Sequence, residues 1–168
     1  MYTAEAIANY FLDKSEQSDS SINLMELQRL VYFAHGWYLG LESKPLINEP
    51  IQAWSFGPVI YQLYRDFKEF GLDPIQGRAK SLGSDLKLYE PSIEMEKEDD
   101  DEAKYTKGFL DRIWEIYGQY TYIQLSNLSH EKGSPWHKVC MKFQGNIPSG
   151  INIPESVICD YFCGLKEP

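Results

Sequence analysis

Three histidines and three cysteines are the first residues in this 168-residue chain to test for chemistry. His130 and His137 flank the string HEKGSPWH, with Glu131 beside the first and Cys140 one turn after the second. Imidazole, carboxylate and thiolate are the usual zinc ligands, so together they could imitate a metal or acid–base site. The spacing gives that reading little support. His137 and Cys140 form an HxxC, and Cys159 and Cys163 stand four apart. Neither is a CxxC knuckle or an HExxH helix. A metal-binding or enzymatic protein using His130 and His137 therefore remains only an alternative. His130 near a helix C-terminus reads more simply as a residue facing the negative end of the dipole. His35, between Ala34 and Gly36 in an apolar run, reads as a core histidine satisfied by its neighbours.

Other catalytic patterns are missing. Neither GxGxxG nor GxxxxGK[ST] occurs, so no glycine-rich loop is set to cradle phosphate. No serine sits in a GxSxG elbow, and no carboxylate pair stands out from the acidic run at 94–102. Cys140, Cys159 and Cys163 lie among apolar neighbours, where inert packing is the default for a thiol. The expectation is a protein that is not an enzyme and carries no cofactor.

The elements that must position these residues are mainly helical. Leu24 to Leu41, LMELQRLVYFAHGWYLGL, is the longest apolar-periodic stretch. Leu24, Leu27, Leu30, Val31, Ala34, Tyr38 and Leu41 recur at helical spacing, and Tyr32, Phe33 and Trp37 make the opposite side apolar too. A helix apolar nearly all round is surrounded by others, so this one is the expected centre of the fold. Asn23, or Ser21 just before it, can cap its start, with Glu26 able to complete a capping box with Asn23, and Gly40 and Pro45 signal its end. Before it, Thr3 caps a first helix of about three turns ending near Lys14.

After it, residues 50–56 could form a small β element. Gly57-Pro58 then opens a helix over Val59 to Phe70, with Pro58 in its first turn and Gly71 as its stop. Leu72 to Gly83 reads as loop, and Asp85 to Ser92 as either a short strand or a helical turn. The acidic residues at about 94–102 read as a solvated, flexible linker into a helix from Ala103 to Tyr117. Thr121 to His130 is a further helix, Ser134-Pro135 caps and opens a short one, and Pro154 opens the last. The expected fold is mainly α: a single-domain helical bundle over 1–168 around a buried central helix.

Composition narrows the partners. With 25 acidic against 16 basic residues the net charge is −9, which opposes binding to a phosphate backbone, so no direct nucleic-acid contact is expected. No run reaches the length of a membrane span. An odd number of cysteines without framework spacing, and no secretory leader, point to the reducing cytoplasm. Aromatics reach 14%, which suits either a tyrosine-rimmed core or a protein-binding surface.

Three blocks carry a resemblance. LQRLVYFAHGWYL followed by KPL, EPIQAW and GPV, then LSNLSHEKGSPWHKV, then IPESVICDYF, are similar in order to the hallmark regions of the Panacea domain family. That family is also described as SocA-like antitoxins or phage-associated GepA-type proteins. The resemblance implies a mainly α-helical, non-enzymatic bacterial or prophage antitoxin that neutralises a cognate protein toxin by direct binding. One relative hands its toxin to a protease, so an adaptor acting with an ATP-dependent protease is the alternative. Carried onto this chain, it makes Trp37, Tyr38, Trp54, Phe56 and Tyr61 the candidate toxin-binding residues. Leu27, His35, Gly36, Gly57, Pro58, His130, Gly133, Pro135 and Trp136 become the structural motif.

Overall fold

The computed structural model describes residues 1–96 and 100–165. Its axis is α2, Leu24–Glu42. Asn23 accepts from the Glu26 amide and the Glu26 carboxylate accepts from the Asn23 amide, so the expected capping box is in place. The helix is buried on every side, with Tyr32, Phe33, Trp37 and Tyr38 all in the core. Around it pack α1 (Ala4–Gln17), α3 (Tyr61–Phe67), α5 (Asp100–Tyr117), α6 (Tyr122–Ser129) and α8 (Glu155–Gly164). The fold is a mainly α-helical single domain with small strands, arranged as a bundle around a buried helix.

Gly40 does not stop α2. The helix runs on to Glu42 and ends at Ser43 in the left-handed region, φ 53. Gly40 and Gly36, one turn apart, form instead the notch that receives α8. A Cβ on Gly36 would stand 2.2 Å from Cε2 of Phe162, and one on Gly40 would stand 2.9 Å from its Cβ. Phe162 thus sits among Tyr32, Phe33 and Trp37, in edge-on contact with all three rings.

The N-terminus of α1 gathers carboxylates, as the positive end of a helix favours. Thr3 caps it, Glu49 accepts from the Ala4 amide at 2.8 Å, and Glu96 accepts from the Thr3 amide at 2.6 Å and its hydroxyl at 2.5 Å. Glu96 belongs to a short helix, α4 (Ile93–Glu96), whose Glu94 pairs with Lys107 of α5. The front of the acidic stretch is therefore helical and docked, not a solvated linker. Residues 97–99 of that expected linker lie outside the described residues. The first helix also outruns its expected end at Lys14, reaching Gln17.

The largest departure from the sequence reading lies after α2. Residues 51–60 form a hairpin: β1 (Ile51–Trp54) pairs antiparallel with β2 (Gly57–Ile60) across a turn at Ser55-Phe56. Pro58 is in a strand, and α3 begins only at Tyr61. The register explains why a proline fits. Antiparallel pairs alternate between facing each other and facing outward, and Pro58 and Ile60 are the outward-facing positions of β2. Gln28 and Arg29 of α2 take up their backbone groups. A missing N–H at Pro58 therefore costs no ladder bond. The outer edge of β1 is filled by the chain at 151–153, where Ala53 donates to Ile151 and Ile153 donates to Ile51.

A second hairpin pairs β3 (Ser81–Leu82), at the end of the stretch Leu72–Gly83 expected to be loop, with β4 (Leu88–Tyr89), so the undecided stretch Asp85–Ser92 contains a strand. Asn9 of α1 holds its approaches: its amide nitrogen donates to Ala79 and Pro91 carbonyls, and its oxygen accepts from the Ala79 amide. The chain closes through α6, capped by a Thr121–Gln124 box, and α7 (Pro135–Lys142), capped by Ser134 with Pro135 in first position. No helix among the described residues is long and apolar enough to cross a membrane.

Candidate functional site

The histidines serve the fold. His35 is buried in α2, and its Nδ1 faces the Ile47 amide at 3.4 Å. Burial pushes it down to about 4, so it is neutral at physiological pH. His137 Nδ1 accepts from the Gly133 amide at 3.3 Å, which ties α7 to the preceding turn. His130 lies flat on Trp136, ring centroids 4.0 Å apart, and is lowered by burial and then by the nearby Arg29 cation. No group of three histidine, cysteine, aspartate or glutamate side chains able to hold a metal is found among the described residues.

Two distant helices, α2 and α7, converge on hairpin β1–β2. From α2, the Gln28 amide behaves like a neighbouring strand: its nitrogen donates to the Ile60 carbonyl at 3.0 Å and its oxygen accepts from the Ile60 amide at 2.8 Å. Arg29, fully buried, donates from Nη1 to the Pro58 carbonyl at 2.6 Å and from Nη2 to the Phe56 carbonyl. Among the described residues no carboxylate pairs with it, and burial draws its pKa down to about 10. From the first turn of α7, Trp136 Nε1 donates to the Trp54 carbonyl at 2.7 Å. Gly57 makes this convergence possible. Its φ is +118°, and a Cβ there would stand 2.2 Å from Arg29 Nη2 and 2.8 Å from His130 Nε2.

What this clamp holds outward is aromatic. Phe56 at the turn is 78% exposed and Tyr61 at the start of α3 is 52% exposed. Trp54 is half-buried, edge-on to Tyr64 at 4.8 Å. Beside them a shallow apolar cavity of about 290 Å³ is walled by Ala53, Trp54 and Phe56 on one side and Ile147 and Pro148 on the other. The shape and chemistry suit one apolar side chain from another protein, with Phe56 free to enter a pocket in return.

Of the five candidate contact residues, Trp54, Phe56 and Tyr61 thus come together on one face. Trp37 and Tyr38 do not. They are 2% and 8% exposed, Trp37 donating from Nε1 to the Tyr117 hydroxyl and Tyr38 packed edge-on to Phe109. Both belong to the core, as an all-apolar helix requires, and neither can touch a partner. Of the structural motif, Leu27, His35, Pro135 and Trp136 are buried, and Gly57, Pro58 and His130 build the clamp itself. Gly133, at φ +88°, turns the chain into α7. The sequence reading missed Gln28 and Arg29, although two long polar side chains inside an otherwise apolar helix were a visible signal. It also missed Ile147 and Pro148, whose place beside the hairpin has no local signature.

The model of the family described as "Antitoxin SocA-like, Panacea domain" matches residues 27–137, from the first turn of α2 through the clamped hairpin to the first residues of α7. Antitoxin SocA of Caulobacter vibrioides (strain NA1000 / CB15N) is 35% identical over 161 residues, covering 95% of this chain and 81% of that protein. No solved structure matches the chain.

Proposed function

This chain belongs to the SocA-like antitoxin, Panacea domain family, and from that premise we propose that it is an antitoxin that neutralises a cognate protein toxin by direct binding. The observation that carries the reading is Phe56: a large apolar side chain, mostly in solvent, at the tip of a hairpin whose backbone is fixed by a buried arginine, a glutamine and a tryptophan. Fixing the backbone before binding lowers the ordering cost that a mobile loop would meet on association. Trp54, Phe56, Tyr61 and the neighbouring cavity form the docking face, and the toxin supplies an apolar anchor for it. The acidic balance of the chain favours a toxin with basic residues around that anchor. A cytoplasmic setting, where both proteins would be made, fits the free cysteines.

A second reading, an adaptor that presents the toxin to an ATP-dependent protease, draws on a different feature. An adaptor must hold two partners at once, and hairpin β3–β4 carries a second set of exposed apolar side chains: Leu82, Leu86 and Leu88.

Co-expression with the product of the adjacent open reading frame tests both. Under the antitoxin reading, growth is rescued and Phe56→Ala abolishes the rescue while the protein stays folded. Rescue accompanied by a shortened toxin half-life selects the adaptor. Soluble expression without rescue would remove both readings.

A further inference from the structure

We propose that Cys159 and Cys163 form a two-thiol site for a thiophilic divalent cation of the zinc class, placed at the C-terminal end of α2. The site is independent of the docking face and of the function proposed for it.

Four residues apart on α8, the two side chains share one face of the helix. Their sulfurs are 3.8 Å apart. Two sulfurs each about 2.3 Å from one tetrahedral ion stand about 3.8 Å from one another, so the pair is spaced for a shared ion without rearrangement. Helical spacing alone does not decide where both thiols point, and here they point at the same place. Cys163 Sγ donates to the Gly40 carbonyl at 3.1 Å, and Cys159 Sγ faces the Leu39 carbonyl at 3.6 Å.

Those carbonyls belong to the last turn of α2, where the aligned peptide dipoles leave partial negative charge. The Gly40 carbonyl has no intrahelical partner and is accessible only because Gly40 lacks a side chain, since a Cβ there would meet the Cys163 backbone at 3.0 Å. A cation held by the sulfurs would rest on that negative end, with the Gly40 oxygen as a hard ligand beside it and solvent completing the tetrahedron. Burial and the neighbouring Cys163 raise the Cys159 thiol, so the ion must displace protons to enter. The step is M²⁺ plus two cysteine thiols giving a bis-thiolate complex and two protons.

Cys163 is exposed and Cys159 partly so, which leaves an entry path. Occupation would tie α8 to α2 beside the Phe162 notch.

The test titrates the full-length, reduced protein with Cd²⁺, a spectroscopic stand-in for zinc. Thiolate-to-metal absorbance, proton release and Tm are followed together. The expected result is one ion per chain, two protons released per ion and a Tm that rises with Cd²⁺; excess Zn²⁺ should remove the Cd²⁺ absorbance while the protons stay released and the Tm stays raised. Cys140→Ser leaves these signals intact, whereas Cys159→Ser and Cys163→Ser each remove the absorbance, in variants shown to be folded by circular dichroism. Three results would overturn the proposal. They are no binding to a chain whose thiols titrate as free, undiminished binding in the Cys159→Ser, Cys163→Ser double variant, and saturation at half an ion per chain, which would mean a site shared between two copies.

Discussion

Replacing Arg29 by methionine separates what the buried guanidinium does for the hairpin from what its bulk does for the core. Two charge-assisted hydrogen bonds, to the Pro58 and Phe56 carbonyls, contribute about 1.5–3 kcal/mol each, or roughly 3–6 kcal/mol together. Burying a cation with no carboxylate partner opposes this. Burial draws the guanidinium down from its ordinary value to about 10, which corresponds to about 3 kcal/mol at roughly 1.4 kcal/mol per pH unit. The balance favours arginine by about 0–3 kcal/mol. For a domain of this size Arg29→Met should therefore lower Tm by no more than about 12 °C. The larger effect is local. Amides of Gly57, Val59 and Ile60 should lose hydrogen-exchange protection in excess of the global change, and toxin binding should weaken with them. Arg29→Ala should cost a further ~2–5 kcal/mol, since it also empties the volume that methionine fills. Urea unfolding, native-state exchange and a binding titration on the same samples measure all three. If Arg29→Met left hairpin exchange and binding unchanged, the clamp would be packing and not positioning.

Three further expectations accompany this one. Phe56→Ala should leave unfolding free energy within about 0.5 kcal/mol of wild type because the ring is exposed, yet reduce toxin affinity by about 2 kcal/mol, roughly 30-fold, in calorimetry. His35 binds its proton more weakly when folded than when unfolded, about 4 against 6.5. The unfolded state thus takes up more protons between those values, and about 3 kcal/mol of stability should be lost as pH falls from 6.5 to 4. Glu49, whose carboxyl burial raises, titrates nearby with the opposite sign. The His35 contribution is therefore read as the difference between wild type and His35→Gln, and parallel pH profiles for the two would refute it. Gly36→Ala should destabilise by about 1–3 kcal/mol although alanine is the better helix former, because the Phe162 ring lies where the Cβ would go. Chemical denaturation giving equal or higher stability would contradict the notch.

How far the fold could be read from sequence depended on the distance over which each residue's reason acts. The central helix, its Asn23–Glu26 cap and the Ser134-Pro135 start of α7 were legible, since periodicity and capping are settled within a few residues. Pro58 was misread because a proline at the first turn of a helix and one on an outward-facing strand position look alike locally. Only the register with Ala53, and the contacts from α2, distinguish them. Trp37 and Tyr38 were misassigned for a related reason. Their types suit an interface or a core equally, and the all-round burial of α2 should have outweighed their place in a motif. Arg29 runs against the rule that charged residues stay outside, and its reason, the Phe56 and Pro58 carbonyls, lies nearly thirty residues further along the chain.

The saturation of both strand edges has a consequence for how specificity can change. With β1 flanked by the 151–153 segment and β2 by Gln28 and Arg29, no backbone edge of this hairpin remains for a toxin to extend as an added strand. On the proposed antitoxin reading, recognition runs through side chains at the turn and beside the cavity. Those side chains contribute little to the hairpin's own hydrogen bonding, which is carried by residues beneath it. Ser55 and Phe56 are therefore positions where identity can drift without loss of the fold, as the tip of an antibody loop does. One scaffold could then follow a succession of unrelated toxins, re-addressed two residues at a time.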